Sequence, residues 1–472
     1  MSDPIIRVPE EEIRRQQGFA DAFAALPGRP ETYYIVTYGC QMNAHDSEKL
    51  AGILESMGMR PAGDKREADL VMHNTCCIRD NAERKALGNV TWLKEVRRER
   101  PEMLIGVCGC MVQEPGMAEK LLKQYPFVDI AFGTGNMYEV PEMLCRVVTE
   151  RKRVVSVPRN ESTLAEGLPI RRQSDIQAYL TIMYGCNNYC TYCIVPYVRG
   201  RERSRASSDI LREAEALLES GVREVMLLGQ NVNSYGASGG DMTFPQLLDH
   251  VAALGIPRVR FMTSHPKDLS DELIRVMADR PNIMRHFHLP VQSGSDAVLK
   301  AMNRRYTREK YLERLSALRA AMPDIGVTSD LIVAFPGETD RDFEDTLSLT
   351  AQARYDSAFT FIYSPRTGTP AAAMPGQIPP DIASRRIARL IEVQEKNTAS
   401  AFEGMLGRTV NVLVTDRSRR GRDEMTGKCE RNISVNFPGR DSDIGKILPV
   451  RITAASHTTL KGEKIGVGGS AL

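Results

Sequence analysis

Two series of short apolar runs, each followed by a helical pattern, constrain this sequence more than any other feature. The longer series has six runs whose starts lie roughly 30 to 45 residues apart, which is room for one strand, one helix and their loops. Six such units predict a partial parallel (β/α)6 barrel rather than the eight-unit one. The runs are YLTIMYG (179–185), EVMLLGQN (224–231), RVRFMTS (258–264), HFHLPVQ (286–292), VTSDLIVAFPG (327–337) and FTFIYSP (359–365).

A shorter series of the same kind comes first in the chain. Its runs are rich in branched residues, and helical patterns such as SEKLAGILESMG separate them. They predict a small parallel sheet covered by helices. The runs are YYIVTYG (33–39), DLVMHNT (69–75), MLIGVCG (103–109) and DIAFGTG (129–135).

The C-terminal part of the sequence follows a different pattern. A long helical stretch, Ile382–Glu403, precedes short strand-like segments that Gly, Pro and Asp interrupt, which predicts a small antiparallel β-barrel. The expected fold class is therefore α/β. We expect a polar, mobile N-terminal arm with room for one short helix (1–31), a parallel α/β domain (32–150), a linker (151–171), the partial barrel (172–404) and the closing β-barrel (405–470).

Composition excludes several other classes of protein. With 42% hydrophobic and 26% charged residues, the 472-residue chain is globular rather than disordered or fibrous. No window approaches about 18 uninterrupted apolar residues, and the N-terminus lacks a signal-peptide core. We therefore expect a cytoplasmic protein without membrane attachment. The formal net charge is +2, so a nucleic-acid partner would need a local basic patch.

Three cysteines follow the first run of the longer series directly. Cys186, Cys190 and Cys193 lie in GCNNYCTYC with CxxxCxxC spacing. Three thiolates on one loop can hold three irons of a 4Fe–4S cluster and leave the fourth iron open to a substrate-like molecule. A zinc site would want a fourth Cys or His, and the loop contains no His. The loop therefore predicts a 4Fe–4S cluster with an open coordination position.

Three further cysteines follow runs of the shorter series. Cys40, Cys76 and Cys110 end the segments VTYGC, MHNTC and VCGC. The carboxyl ends of parallel strands line one crevice, so these thiols can converge on one point. Three converging thiolates suit a soft metal or an iron–sulfur cluster. The alternative is three packed thiols in three turns.

The remaining cysteines lie beside these positions or far from them. Because strand side chains alternate, we expect Cys77 to face away from the predicted site. For the same reason Cys108 should face the same side as Cys110 and is the more credible spare ligand. We interpret Cys145 and Cys429 as packed thiols.

The motif CxxxCxxC at the mouth of a partial barrel resembles the radical S-adenosylmethionine (SAM) enzymes. In that superfamily the open iron binds the amino and carboxylate groups of SAM, and an electron from the cluster yields a 5′-deoxyadenosyl radical. The resemblance implies contacts to the methionine part of SAM at LLGQN, to the ribose at PVQSGS and to the adenosyl group at VTSDLIVAFPG. The implied residues are Gly229, Gln230, Gln292, Ser293, Thr328, Asp330 and Gly337.

From about residue 32 to 470 the chain resembles the methylthiotransferase family, most closely its branch that acts on isopentenylated adenosine in tRNA. GCQMNAHDSEKL, NTCCIRDNAE, IMYGCNNYCTYCIVPYVRGRERSR, LLGQNVNSYG and HLPVQSGS carry the resemblance. It implies a second 4Fe–4S cluster on Cys40, Cys76 and Cys110, involved in sulfur delivery, and an RNA-binding C-terminal TRAM domain. Cys77 and Cys108 depart from the family pattern without displacing a motif residue.

The resemblance implies an enzyme that adds a methylthio group to C2 of N6-dimethylallyl(isopentenyl)adenosine beside the anticodon of tRNA. One SAM would donate the methyl group and another would supply the radical. The alternatives are the same chemistry on threonylcarbamoyladenosine of tRNA or on a ribosomal-protein aspartate, and a non-catalytic iron–sulfur protein that binds RNA. The expected partners are the tRNA anticodon loop, a reductant protein and a sulfur donor, and we expect a monomer.

Two arginine-rich segments are candidates for phosphate contacts, since the guanidinium fork donates two hydrogen bonds at once. Solvated loops or ion pairs are the alternative for both. Three histidines at barrel strands, His265, His286 and His288, are compatible with either core or pocket. The arginines are Arg199, Arg201, Arg203 and Arg205 behind the cysteine loop, and Arg417, Arg419, Arg420 and Arg422 in the C-terminal barrel.

Overall fold

A parallel sheet with helices on both faces forms the N-terminal part of the chain. In the computed structural model, the described residues are 6–77, 80–157, 163–419, 421 and 423–465. The strands of this part are β1 (Ile6–Arg7), β2 (Thr32–Thr37), β3 (Arg60–Pro61), β4 (Leu70–Thr75), β5 (Leu104–Gly109), β6 (Ile130–Phe132), β7 (Val154–Ser156) and β8 (Thr163–Leu164). Its helices are α1 (Glu10–Ala24), α2 (Gln41–Ser56), α3 (Asp80–Glu99), α4 (Met117–Gln124) and α5 (Val140–Glu150).

The strand order of this sheet decides which strand ends lie side by side. Among the described residues it has six strands in the order β3-β2-β4-β5-β6-β7, all parallel. Apolar side chains of β4 and β5 alternate between the two faces, so that Met72 packs on the side of α1, α2 and α5 and Val71 on the side of α3 and α4. The predicted neighbours β2, β4 and β5 therefore end along one edge.

Two expectations for this part are wrong. The arm is not mobile from Glu10 onward, because α1 packs against α5 and buries Gln16, Ala20 and Phe23. These residues lie on one face of the helix, but the charged residues around them make the apolar pattern hard to recognise in the sequence. The linker 151–171 also contains structure, since β7 joins the sheet and β8 pairs with β1.

The middle part is built from strand–helix units in chain order. Its strands are β9 (Gln177–Thr181), β10 (Met183–Tyr184), β11 (Arg203–Ser204), β12 (Glu224–Leu228), β13 (Arg258–Phe261), β14 (His286–His288), β15 (Gly326–Val333) and β16 (Ser357–Ile362). Its helices are α6 (Val195–Val198), α7 (Ser207–Glu219), α8 (Phe244–Ala253), α9 (Asp271–Asp279), α10 (Asp296–Ala301), α11 (Arg308–Ala321), α12 (Asp340–Ala353) and α13 (Pro380–Glu403).

These units form the partial barrel that the longer series predicts. Two parallel three-stranded sheets, β13-β12-β9 and β14-β15-β16, are joined by a parallel bridge between Val259 and Ile283. The strands β12, β14 and β15 end before their runs do, at Leu228, His288 and Val333. The glycine- and proline-containing ends of the runs therefore form loops at the carboxyl end of the barrel.

The C-terminal part is the small closed barrel that the sequence predicts, with five strands in the order β17-β18-β19-β21-β20. Its pairs are antiparallel as expected except β19–β21, which is parallel. Its strands are β17 (Thr409–Arg417), β18 (Glu424–Lys428), β19 (Ser434–Pro438), β20 (Ile447–Ala455) and β21 (Thr459–Lys464). Short 3-10 helices elsewhere in the chain span Met137–Glu139, Val232–Ser234, Pro266–Asp268, Pro370–Ala373 and Asp441–Asp443.

The C-terminal barrel docks on the amino-terminal end of the partial barrel. Arg258 and Arg260 of β13 donate hydrogen bonds to its main chain, and Arg431 Nη2 lies 2.6 Å from Asp356 Oδ2, just before β16. The accepting carbonyl oxygens belong to Lys428, Asn411 and Cys429. The docked end is therefore opposite the cysteine loop. None of the helices in the described ranges is both long and apolar enough to cross a membrane.

Candidate functional site

The barrel cysteine site consists of Cys186, Cys190 and Cys193, on the loop behind β9 and β10. Cys186 N donates to Gly200 O at 3.1 Å, and Cys193 N donates to Cys190 O at 2.9 Å. A Cβ on Gly185, whose φ is +72°, would lie 2.0 Å from Arg201 O, so this tight turn requires glycine. The loop is thus held to the strand by its main chain.

The three thiols of the barrel cysteine site are close enough to influence one another. Burial raises the pKa of Cys186 to about 11 and that of Cys193 to about 12, and Cys190 adds to both shifts. Arg304 Nη1 lies 3.5 Å from Cys190 Sγ. The Cys186 and Cys193 thiols are therefore neutral near pH 7, and metal binding would have to displace their protons.

The N-terminal cysteine site consists of Cys40, Cys76 and Cys110, which follow the neighbouring strands β2, β4 and β5. Cys40 is also the N-cap residue of α2. A Cβ on Gly39 would lie 2.6 Å from Cys76 Sγ, which shows how closely the β2 and β4 ends approach. The ends of β2 and β4 are therefore in close contact, and the convergence of all three thiols on one point stays a prediction.

Arg199 joins the N-terminal cysteine site to the loop that carries the barrel cysteines. Its Nε lies 3.1 Å from Cys110 Sγ, and its Nη2 lies 2.7 Å from Asn43 Oδ1 and 2.8 Å from Asp46 Oδ2. Cys40 contributes electrostatically to the raised pKa of this guanidinium. Just before it, Val198 of α6 packs in the same apolar cluster as Cys110. A short segment that ends in the buried Val198 and Arg199 therefore connects the two sites.

The expectation for Cys77 is wrong, because its thiol donates a hydrogen bond to Cys110 instead of facing away. Cys77 lies beyond the last strand residue, Thr75, where strand alternation no longer applies. This bond, followed by Arg199, lowers the pKa of Cys110 and raises that of Cys77.

Cys108 also differs from its expectation. It packs on the sheet face of α1, α2 and α5, whereas Cys110 packs on the opposite face. Gly109 between them has φ +94°, which turns the chain at the end of β5. As predicted, Cys145 and Cys429 are buried in apolar clusters.

Within the described ranges, no three Cys, His, Asp or Glu side chains come close enough together to hold a single metal ion.

The loops that the resemblance associates with SAM lie at the carboxyl ends of the barrel strands. A Cβ on Gly229 would lie 2.5 Å from Met183 Cγ, so a larger residue does not fit behind β12, and Gln230 follows it. Gln292 has φ +69° and is held by main-chain bonds to Asp330 and Ile332 at 2.9 and 2.8 Å. Such a conformation is uncommon outside glycine and is fixed here by the β15 main chain.

Ser293 and Gly337 are held by neighbouring elements. The Ser293 hydroxyl is fully buried, lies 3.2 Å from the Thr346 hydroxyl of α12 and accepts from Ser295 N, so it supports the loop rather than facing the barrel interior. Gly337, with φ +80°, donates its N–H to Gly376 O at 2.9 Å.

A polar ladder crosses the barrel interior between β14 and β15. Val327 and Leu331 pack in the outer core, which places Thr328 and Asp330 on the inner face. Thr328 Oγ1 lies 3.0 Å from His286 Nε2 and 3.0 Å from His288 Nδ1. His288 Nε2 lies 3.5 Å from Asp330 Oδ2. The sequence analysis left His286 and His288 open between core and pocket. Their alternation with Phe287 in β14, which places both on the same face of the strand, was the signal that could have decided it.

The arginines behind the cysteine loop do not form the surface patch that the sequence suggests. Arg199, Arg203 and Arg205 are buried, and only Arg201 of the four is exposed. Arg205 pairs with Glu166 at 2.7 Å and with a carboxylate of α7 at 2.9 Å. The ion-pair alternative therefore holds for Arg199 and Arg205.

The second arginine segment is only partly described. Arg417 forms an exposed ion pair with Asp441, and Arg419 is exposed. Arg420 and Arg422 lie outside the described residues.

Three family models match the chain. Residues 32–133 match the uncharacterized protein family UPF0004, residues 180–350 match the radical SAM superfamily and residues 403–465 match the TRAM domain.

Relatives match almost the whole chain. The tRNA-2-methylthio-N(6)-dimethylallyladenosine synthase of Clostridium tetani is 48% identical over 92% of this chain and 96% of the relative. The synthase of the same name from Alkaliphilus oremlandii is 46% identical over 97% of this chain and 98% of the relative. The chain belongs to the tRNA-2-methylthio-N(6)-dimethylallyladenosine synthase family. This synthase-family chain is therefore an enzyme, and the radical SAM match gives it an iron–sulfur centre and SAM as cofactors.

Its fold also has a solved counterpart. The radical SAM methyltransferase TsrM from Kitasatospora setae aligns with a TM-score of 0.54 at 14% identity, over 72% of this chain and 75% of that one. At this identity the likeness concerns the fold alone. The sequence predictions of fold class, family and enzyme class are confirmed.

Proposed function

We propose that this chain adds a methylthio group to C2 of N6-dimethylallyladenosine next to the anticodon of tRNA. The 48% identity to a synthase of that name, over nearly the full length of both chains, carries the proposal. The TRAM match in the C-terminal barrel fits tRNA as the partner.

The proposal includes two 4Fe–4S clusters, one on Cys186, Cys190 and Cys193 and one on the N-terminal cysteine site. The donor sets fit, because each group offers three thiols and a buried guanidinium that offsets thiolate charge. When bound, the barrel cluster would supply the electron for reductive cleavage of SAM. We assign the N-terminal site to sulfur delivery.

Arg199 and Arg304 would hold the two sites in place. Each lies against one thiol and also bonds to its own surroundings: Arg199 to Asp46, and Arg304 Nη2 to Pro290 O at 2.8 Å. A guanidinium with fixed bonds on one side can orient a thiolate on the other.

SAM would bind along the carboxyl ends of β12 to β15. The main chain around Gly229 and Gly337 allows close approach, and Thr328 and Asp330 would contact the adenosyl part from the barrel interior. Gln230, Gln292 and Ser293 complete the proposed set, with Ser293 acting through the loop it supports.

The proposed setting is a cytoplasmic monomer that receives electrons from a reductant protein and sulfur from a separate donor. The deciding experiment is mass analysis of tRNA nucleosides from cells that lack the gene. We expect loss of the methylthio group with the dimethylallyl group retained, and restoration by the parent chain but not by Cys190→Ala. Cys145→Ala, a packed thiol of the N-terminal part, is the matched control that should restore the product. Unchanged nucleosides would overturn the proposal.

A further inference from the structure

Two exposed aromatic side chains lie beside the barrel cysteine site. In the part of the chain that the structure describes, the largely exposed aromatic residues are Tyr189, Tyr197 and Phe359, at 37%, 38% and 58% exposure. Tyr189 and Tyr197 flank the last two barrel cysteines, and Phe359 pairs in register with Asp330 on the inner face. Contact of these rings with water is unfavourable. Binding of a partner over the rings would remove this unfavourable contact and so stabilise the complex.

Tyr189 and Tyr197 form a pair with defined geometry. Their ring centroids lie 6.0 Å apart at 83°, an edge-to-face arrangement. The edge of one ring covers a face of the other, and a further flat ring can stack on the faces that remain.

The backbone holds Tyr189 in a conformation that few aromatic residues adopt. Its φ is +46°, in the left-handed region. Asn303 Nδ2 donates to Asn188 O at 3.1 Å and to Tyr189 O at 3.0 Å, and Thr191 N donates to Met302 O at 3.1 Å. These bonds fix the loop to the end of α10, so the ring is positioned before any partner arrives.

Two exposed cations lie on the segments next to this pair. Arg201 follows the cysteine loop, Arg305 follows the Asn303 anchor, and neither forms an ion pair with a described residue. Aromatic rings beside unpaired guanidinium groups are typical of surfaces that bind single-stranded or looped RNA, where bases stack and phosphates pair. A protein partner would more often meet a deeper apolar patch.

We propose that Tyr189 and Tyr197 form a stacking platform for an unpaired anticodon-loop base next to the modified adenosine, with Arg201 and Arg305 on the flanking phosphates. This inference rests on tRNA being the substrate. The platform would hold the loop open over the barrel cysteine site and present the adenosine edge to the interior.

The test measures binding of an anticodon stem-loop RNA to the cluster-loaded full-length protein. Tyr189→Ala and Tyr197→Ala should each weaken binding about tenfold or more, whereas Tyr189→Phe and Tyr197→Phe keep the ring and should stay near the parent value. A 2-aminopurine base beside the adenosine should be quenched by the parent and by the Phe variants, but not by the Ala variants. Leu122→Ala on α4, also an exposed apolar side chain, is the matched control and should bind like the parent.

Arg201→Gln and Arg305→Gln should each reduce the slope of log affinity against log salt by about 0.7. Iron content checks that each variant still loads its clusters. If the parent binds RNA and the Ala variants bind equally with the same quenching, the platform is wrong while the proposed function stands. If the parent binds no stem-loop RNA and forms no methylthio product, the proposed function fails and the platform fails with it.

Discussion

The two cysteine sites resemble each other in their parts and differ in how the protein prepares them. In both, a buried arginine touches one thiol: Arg199 at Cys110 and Arg304 at Cys190. At the N-terminal site a neighbouring thiol and the arginine lower the pKa of Cys110. At the barrel site burial raises the pKa of Cys186 and Cys193.

The difference follows from what each site is built on. The N-terminal thiols sit at the rim of a rigid sheet, where Cys77 can be placed to donate to Cys110. The barrel thiols sit on one loop, where burial outweighs the pKa-lowering hydrogen bonds that Asn188 gives to Cys186 and Val195 to Cys193. At the first site the surroundings of Cys110 favour its thiolate, which is the form that binds metal, whereas Cys186 and Cys193 at the second would lose their protons when metal binds.

The largest expected effect comes from removing the barrel site. Replacing Cys186, Cys190 and Cys193 by Ala should lower the iron content from about eight to about four per chain and abolish SAM cleavage. Iron analysis and detection of 5′-deoxyadenosine after anaerobic reconstitution measure both. Unchanged iron would sink the assignment of a cluster to this loop.

Removing the N-terminal site should separate the two roles. With Cys40, Cys76 and Cys110 replaced by Ala, we expect no methylthio product but measurable reductive SAM cleavage, because the radical-forming site lies on the other loop. Both activities are measured on the same protein samples, the methylthio product by analysis of tRNA nucleosides and SAM cleavage by detection of 5′-deoxyadenosine. A normal rate of product formation would rule out sulfur delivery at this site.

Arg199→Gln tests how strongly the protein prepares the N-terminal site. Without the guanidinium, Asp46 stays buried and unpaired, so the iron-free protein should lose about 3–5 kcal/mol of stability. Arg201→Gln, two residues away and exposed, should change stability by less than about 0.5 kcal/mol. Urea unfolding of the three proteins measures the difference, and equal losses would mean that Arg199 is not what holds the sites together.

The smallest expected effect is on the stability of the protein at acidic pH. Burial lowers the pKa of His73 in β4 to about 4, so the folded protein keeps it neutral while the unfolded chain protonates near pH 6.5. Stability is therefore lost as pH falls from about 6.5 toward 4. His73→Gln should remove about 2 kcal/mol of the loss between pH 7 and pH 5. The measurement is the free energy of unfolding of the iron-free proteins as a function of pH. If the variant shows the same pH dependence as the parent, protonation of His73 does not destabilise the folded protein.

Much of this fold was predictable because strands and cysteine motifs are local patterns. The runs that became β4, β5, β12 and β15 carry their own periodicity, and CxxxCxxC needs no distant partner. The arginine segment was left open between phosphate contacts and ion pairs because Asp46, the partner of Arg199, lies 153 residues away. Alternating charge looks the same in sequence whether it faces water or a domain interface.

Other errors have equally local causes. Cys77 was assigned by strand alternation, but the strand had already ended at Thr75. In α1 the buried positions Ala20 and Phe23 are few among charges, so a docked helix was interpreted as a mobile arm. That Cys40, Cys76 and Cys110 follow neighbouring strands was predictable, whereas the contact of Arg199 with Cys110 was not.

The docking of the C-terminal barrel has a consequence for how the family can change. Arg258 and Arg260 donate hydrogen bonds to main-chain carbonyl oxygens, which are present whatever the side chain at those positions. Side-chain substitutions on the strands of the small barrel therefore preserve these hydrogen bonds as long as the backbone conformation does not change. The outer surface of that barrel can therefore vary in sequence without moving the barrel relative to the end of the partial barrel on which it docks.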